Sequence, residues 1–262
     1  MMPGSAMFPS LPRSLSLAGF VPAPDAPWGG TPRDVIEWAA ARGVQRLHLD
    51  VTCAGIRPRE LDRSARRDLA ALFRRLRLTL GGIDAWIPPD HFVDPRHVDR
   101  AAAAAVTACD LASELASLGA CVQRPAVNLH VAGSTSAAVR TSLAHAAETA
   151  GVPIADHQWP PSELQTPGGA LGVGFDPAAV LMAGETDPCK ALVAIARRVV
   201  AVRLSDLSSL GRVPPGEGRL DVMAYEVAVA TAVPGACLTV DSRGMGRDAL
   251  LRLPPLATPA AG

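Results

Sequence analysis

Net charge is the first thing the sequence lacks. Lys plus Arg and Asp plus Glu each total 25 in 262 residues, so no global field draws in nucleic acid or an anionic membrane, and a small, roughly neutral partner fits better. Long apolar runs are also missing. No segment reaches the roughly 18 uninterrupted apolar residues of a membrane span, so the 48% of hydrophobic residues must be buried in a globular core. The amino-terminal stretch MMPGSAMFPSLPRSLSLAGF is interrupted by Pro3, Pro9, Pro12 and Arg13 and reads as no signal peptide. The cysteines Cys53, Cys109, Cys121, Cys189 and Cys237 are odd in number and lack CxxC spacing. That excludes a disulfide framework or structural zinc site as the natural reading and leaves buried thiols of a reducing cytoplasm. A glycine-rich phosphate loop is absent after the first expected strand, where GFVPAPDAPWGG does not match GxGxxG, which counts against an open doubly wound sheet. No Ser/Gly-rich linker or charge block divides the chain. One domain is expected over 14–253, between frayed, Pro-rich ends at 1–13 and 254–262.

What is present is a rhythm of short apolar runs alternating with amphipathic or alanine-rich stretches, the pattern of repeated βα units around a parallel sheet. Strands are expected at 14–20, 45–51, 79–86, 126–131, 152–157, 171–176, 199–204 and 237–241. Helices are expected at 32–42, 64–75, 95–118, 136–150, 177–182 with 188–198, 221–232 and 247–253. Thr31-Pro32, Asp94-Pro95, Asp176-Pro177 and Asp187-Pro188 each read as an N-cap followed by proline in the first turn. Gly43, Gly119 and Gly151 sit where helices should stop. The fold class is therefore α/β, a single (β/α)8 TIM barrel, the commonest one-domain solution near this length.

In a closed barrel, alternate strand residues point to the helices or to the interior. Sorting by parity places Val200, Val202 and Leu204 on one face of the seventh strand and Ala201, Arg203 and Ser205 on the other. It likewise turns His48 and Asp50, Asn128 and His130, Gly172, Gly174 and Asp176, and Thr239 and Asp241 inward. Taken singly, each polar residue reads as a cap or a loop salt bridge. Taken together they gather toward the C-terminal strand ends, where α/β barrels build active sites.

At these residues the chain resembles the sugar phosphate isomerase/epimerase family of xylose isomerase-like TIM barrels. RELDRSARRDLAALFRRLRLTLGGIDAWIP is similar to that family's second helix and third strand, and GVPIADHQ, GVGFDPAAVLMAG, VVAVRLSD, PPGEGRLD and LTVDSRG follow in the family order. The resemblance implies one divalent metal held by a Glu ending strand five, an acid ending strand six, a His in strand seven and a Glu ending strand eight, the two Glu shuttling a proton beside a carbonyl. Carried over, Asp176 keeps the strand-six acid and Asp241 replaces the last Glu with a shorter carboxylate. His157 falls at the strand-five Glu. A one-residue slide would put Asp156 there, but parity makes His157 the inward side chain. Arg203 stands at the strand-seven His; a guanidinium cannot coordinate a cation and repels one nearby. Its expected partners are Asp176 and Asp241 or an anionic substrate group.

Two readings stand open. In the first, the protein is a sugar isomerase or epimerase whose metal set is Asp176, His157 and Asp241 holding Mn, Mg or Zn, or a metal-free variant with His157, Asp241 and Arg203 as catalytic residues. In the second, it is a non-catalytic sugar- or metabolite-binding barrel. The endonuclease branch of the same superfamily would want a richer His/Glu cluster and a basic groove, whereas this chain has six His. Trp86 after strand three, Asp50, His130, Asp206, Glu217 and Arg243 are candidate substrate contacts, although an Asx turn is the simpler reading of Asp206, and a turn before the next helix that of Glu217. The expected partner is a small sugar or sugar phosphate. No exposed heptad or edge strand declares an oligomer interface.

Overall fold

Eight parallel strands close on themselves in the order β1 (Arg13–Ser16), β10 (Leu238–Val240), β7 (Val199–Leu204), β6 (Leu171–Phe175), β5 (Ile154–Asp156), β4 (Ala126–Leu129), β3 (Thr79–Asp84) and β2 (Arg46–Asp50), and β2 pairs back onto β1. The computed structural model describes residues 11–121, 124–163, 165 and 167–253. Helices α1 (Pro32–Ala41), α2 (Arg63–Arg75), α3 (Val98–Ser117), α4 (Ala137–Ala150), α5 (Pro177–Met182), α6 (Pro188–Ile195), α7 (Val222–Ala232) and α8 (Arg247–Leu251) lie between the strands and after the last one. Among the described residues, no helix is long and apolar enough to cross a membrane.

Thr31, Asp176 and Asp187 cap α1, α5 and α6 with prolines in the first turn, as their sequences indicate. Asp94 does not cap α3. That helix begins at Val98, because Asp94 spends its carboxylate on Arg96 and its carbonyl on the amides of His97 and Val98. Of the ends expected to fray, 1–10 and 254–262 lie outside the described residues, but 11–13 do not fray. Arg13 opens β1, and the Pro12 carbonyl accepts from the Leu238 amide at 2.9 Å. Of the five thiols only Cys109 is fully buried. A two-stranded hairpin, β8 (Asp206–Ser208) with β9 (Gly211–Val213), rises where the sequence suggested only a loop.

The outward strand faces form the core beneath the helices: Leu47, Leu49, Val127, Leu129, Val173, Phe175, Val202, Leu204, Leu238 and Val240 are all 2% exposed or less. Each such burial is worth about 1.5–3 kcal/mol. The inward faces differ from the bulky branched filling usual in these barrels. Ser14, Ser16, Gly82, Ala126, Gly172, Gly174 and Ala201 leave the interior wide. A few large polar side chains occupy it instead. Two glycines make their room: a Cβ on Gly82 would lie 2.5 Å from the His48 ring, and one on Gly174 would lie 2.4 Å from His157 Nε2.

Replacing Gly82 or Gly174 with Ala is therefore expected to destabilise the fold by about 1–3 kcal/mol through overpacking. Gly30→Ala, whose Cβ meets nothing closer than 3.8 Å, is expected to stay within about 0.5 kcal/mol. Equal effects of all three in denaturant melts would contradict this account of the interior.

Candidate active site

Arg203 on β7 lies directly across the ring from β3, and its guanidinium spans the interior to Asp84. Both side chains are 0% exposed. Register explains the choice: Arg203 pairs with Thr239, one inward layer below Asp241, so it faces the barrel centre and not the mouth. The expected partnership of Arg203 with Asp176 and Asp241 is thus corrected to Asp84. Burial alone would raise the Asp84 carboxyl, but Arg203 and His48 outweigh it and hold it below the ordinary carboxylate range. Ser16 Oγ donates to the same carboxylate at 2.5 Å, and the Tyr225 hydroxyl donates to the Arg203 carbonyl at 2.9 Å.

Above this strut, the mouth holds two carboxylates between two further arginines. Asp176 follows β6 and Asp241 follows β10. Arg212 is brought in by β9 and Arg243 by the loop after β10. Arg212 donates from Nη2 to Asp176 at 2.5 Å and from Nη1 to Asp241 at 3.3 Å. Arg243 grips Asp241 through Nε and Nη2 and reaches Asp176 from Nη2 at 3.0 Å. The other Asp176 oxygen accepts from Ser205 Oγ and from the amides of Ala178 and Ala179. Every carboxylate oxygen of the pair is taken. Burial would raise both carboxyls, yet the guanidiniums hold both below their usual range. Arg243 lies over Trp86, its guanidinium carbon 3.4 Å from the ring centroid, and the Arg203 guanidinium carbon sits 5.2 Å from the same centroid.

Imidazoles complete the arrangement. His157 Nε2 lies 2.9 Å from Asn128 Oδ1, while Asn128 Nδ2 donates to the Ile83 carbonyl at 3.0 Å. Asn128 therefore accepts from His157, fixing the tautomer with the proton on Nε2. Nδ1 of His157 is buried without a hydrogen-bond partner, as are Trp86 Nε1 and Arg203 Nε. His48 reaches Thr239 at 3.1 Å and lies 3.4 Å from Asp84. Burial, reinforced by neighbouring arginines, lowers the pKa of His157, and burial lowers those of His48 and His130. A cavity of about 380 Å³ opens over this cluster, lined by His130, His157, Trp159, Asp176, Arg212 and Arg243 along with Ala179, Met182 and Ala183. His130 is half-buried, and its ring makes no hydrogen bond among the described residues.

The structure brings His157, Asp176, Asp241, Arg243, His130 and Trp86 to one mouth and seats Arg203 beneath it. It separates Asp206 and Glu217 from them. Asp206 is 0% exposed and spends both oxygens on the amides of Leu207, Gly216, Gly218 and Leu220, so it shapes the segment after the hairpin. Glu217 pairs with Arg252 on the surface. Asp50 ends β2 beside Asp84, within reach of the charge of Arg243, and burial raises its carboxyl; one of its oxygens accepts from the Thr52 amide and hydroxyl, and the other makes no hydrogen bond among the described residues. Asp156 points outward to Arg140, as the parity of β5 requires. Missed entirely were Asp84, Asn128 as the partner of His157, and Arg212. Asp84 shares its inward parity with Gly82 and Trp86; Arg212 was hidden in SSLGRV, whose hairpin signal is only a glycine after Ser-Ser-Leu.

The residues do not fit a divalent cation. Asp176, His157 and Asp241 offer no free carboxylate oxygen, and two guanidiniums stand between them. Among the described residues no three His, Cys, Asp or Glu side chains form a group that could hold a metal.

No protein-family model matches the sequence, and a search of curated proteins found no match. Solved structures do resemble it. A xylose isomerase domain protein from Planctomyces limnophilus is 19% identical with a TM-score of 0.65, over 93% of this chain and 92% of that one. A xylose isomerase-like TIM barrel protein from Mycobacterium smegmatis, in complex with magnesium, is 15% identical with a TM-score of 0.60, over 89% and 91%. A probable 3-DHS dehydratase involved in petrobactin synthesis from Bacillus anthracis is 13% identical with a TM-score of 0.59, over 92% and 96%. The chain has the fold of the xylose isomerase-like TIM barrels along most of its length.

The buried imidazoles set a pH dependence. His48 and His157 have folded pKa values below their unfolded value of about 6.5, so the unfolded chain binds more protons as pH falls beneath that point. Stability is expected to be full above about pH 6.5 and to fall from there toward the folded pKa values, by at most about 1.4 kcal/mol per pH unit per histidine. His157→Gln, which keeps a donor for Asn128, should flatten the slope. Denaturant melts from pH 8 to pH 5 measure it, and a level curve contradicts the burial of neutral imidazoles.

Proposed function

We propose that this barrel takes a small sugar, sugar phosphate or related hydroxy-carbonyl metabolite into its C-terminal mouth and moves a proton beside the carbonyl, as an isomerase or epimerase does, without a divalent cation. The observation that carries the reading is the saturation of Asp176 and Asp241 by Arg212 and Arg243. A guanidinium pair fixed in this way supplies positive charge to an oxygen that becomes negative as the proton leaves. His130 is the base in this reading, because burial favours its neutral form and its ring faces the cavity without a competing hydrogen bond. His157 lines the same cavity, held in one tautomer by Asn128. Asp176 and Asp241, ionised and fully hydrogen-bonded, orient the arginines. Five free cysteines agree with a reducing cytoplasm as the setting.

A second reading, a binding barrel without catalysis, draws on the same saturation: Asp241, the carboxylate at a position to which the family resemblance assigns proton shuttling, has no oxygen left for it. Deuterium exchange separates the two. Incubated in D2O with a panel of short ketoses and aldoses, the protein is expected to exchange a proton next to the carbonyl of one of them equally with and without chelator. His130→Gln is expected to slow that exchange by about 10²–10⁴-fold. Exchange abolished by chelator overturns the metal-free reading; binding without exchange overturns the catalytic one.

A further inference from the structure

Resting on the reading that the mouth is the ligand site, we infer that its ligand carries an oxyanion, a carboxylate or a phosphoryl group, which docks on the outward edges of Arg212 and Arg243. The charges of the four-residue cluster cancel in number but not in position. The Asp176 and Asp241 side chains are 2% and 0% exposed, whereas those of Arg212 and Arg243 are 16% and 21% exposed. A molecule entering the cavity meets the cations first, with their counter-charges behind them.

Donor inventory agrees with this placement. Arg212 commits Nη1 and Nη2 to the carboxylates, and Arg243 commits Nε and Nη2. Arg212 Nε and Arg243 Nη1 have no hydrogen bond among the described residues and are not enclosed as buried orphans. One nitrogen of each guanidinium, Arg212 on β9 and Arg243 in the loop after β10, thus remains unspent at the same mouth, and N–H donors of this kind are matched by the oxygens of a carboxylate or phosphate. Neither arginine is free to swing away. Arg243 is pressed on Trp86, and Arg212 stands on the hairpin with its Cδ within 3.6 Å of where a Gly244 side chain would begin. The remaining lining adds no negative charge: His130, His157, Trp159, Ala179, Met182 and Ala183 are neutral or apolar. A cavity of about 380 Å³ admits a small metabolite, and a cationic one would face two guanidiniums.

The test compares three compounds on one carbon skeleton: glycerol, glycerate and glycerol 1-phosphate, titrated into the native protein and followed by tryptophan fluorescence. At least one anion is expected to bind roughly tenfold or more tighter than glycerol, and the stronger of the two identifies the oxyanion. That preference should shrink between about 0.01 M and about 0.1 M salt, as the screening length falls from about 30 Å to about 10 Å. Arg212→Gln, which leaves Arg243 to pair with both carboxylates, should remove most of it. Should that variant fail to fold, the salt dependence of the native protein decides. Equal binding of all three compounds, or an anion preference indifferent to salt, overturns the inference and leaves the proton-exchange reading standing. An anion preference without exchange on any carbonyl compound does the reverse.

Discussion

A guanidinium laid across the diameter of the barrel organises everything above it. Arg203 and Asp84 come from opposite strands and are wholly buried. Removing either partner of such a pair leaves an unpaired charge in a low-dielectric interior, at a typical cost of about 3–5 kcal/mol. The arrangement is feasible because the inner faces are built of Ser, Gly and Ala. A barrel lined with branched aliphatics would have no space for a side chain of this length, nor for the imidazoles that stand over Gly82 and Gly174. Trp86 couples the strut to the mouth, touching Arg203, His157 and Arg243 with one ring.

The chemistry of the mouth follows from how its charges are paired. In the arrangement implied by the family resemblance, inward carboxylates converge on a cation from solution. Here the polypeptide supplies the cations itself: Arg203 for Asp84, Arg212 and Arg243 for Asp176 and Asp241. Permanently protonated groups cannot be stripped by a chelator or exchanged, and they hold their hydrogen-bond geometry in advance of any ligand. Asp176 and Asp241, with every oxygen engaged, have none free to take a proton. Two imidazoles, His130 and His157, line the cavity, and in the proposed reading His130 is the base.

Parity made most of this legible from sequence. The βα rhythm pointed to the closed ring, and period-two sorting of its strands turned His157, Asp176, Arg203 and Asp241 inward, because burying one face of a strand fixes its register. It also rejected Asp156, which faces Arg140. Partners across the ring were not legible. Which inward carboxylate Arg203 meets depends on strand stagger, and stagger leaves no mark on any one strand's pattern. Arg212 escaped because a short hairpin of mixed residues looks like the loops around it. Asp206 and Glu217 misled in the opposite way, since an acid in a Gly-rich turn reads alike whether it holds backbone amides, a surface arginine or a substrate.

Titration of Mn²⁺ into the native protein, followed by calorimetry, tests the central claim most directly. With Asp176 and Asp241 fully engaged by Arg212 and Arg243, no saturable, stoichiometric binding is expected. One tightly held ion per chain would contradict the account, because it would require both arginines to leave the carboxylates they are described as filling.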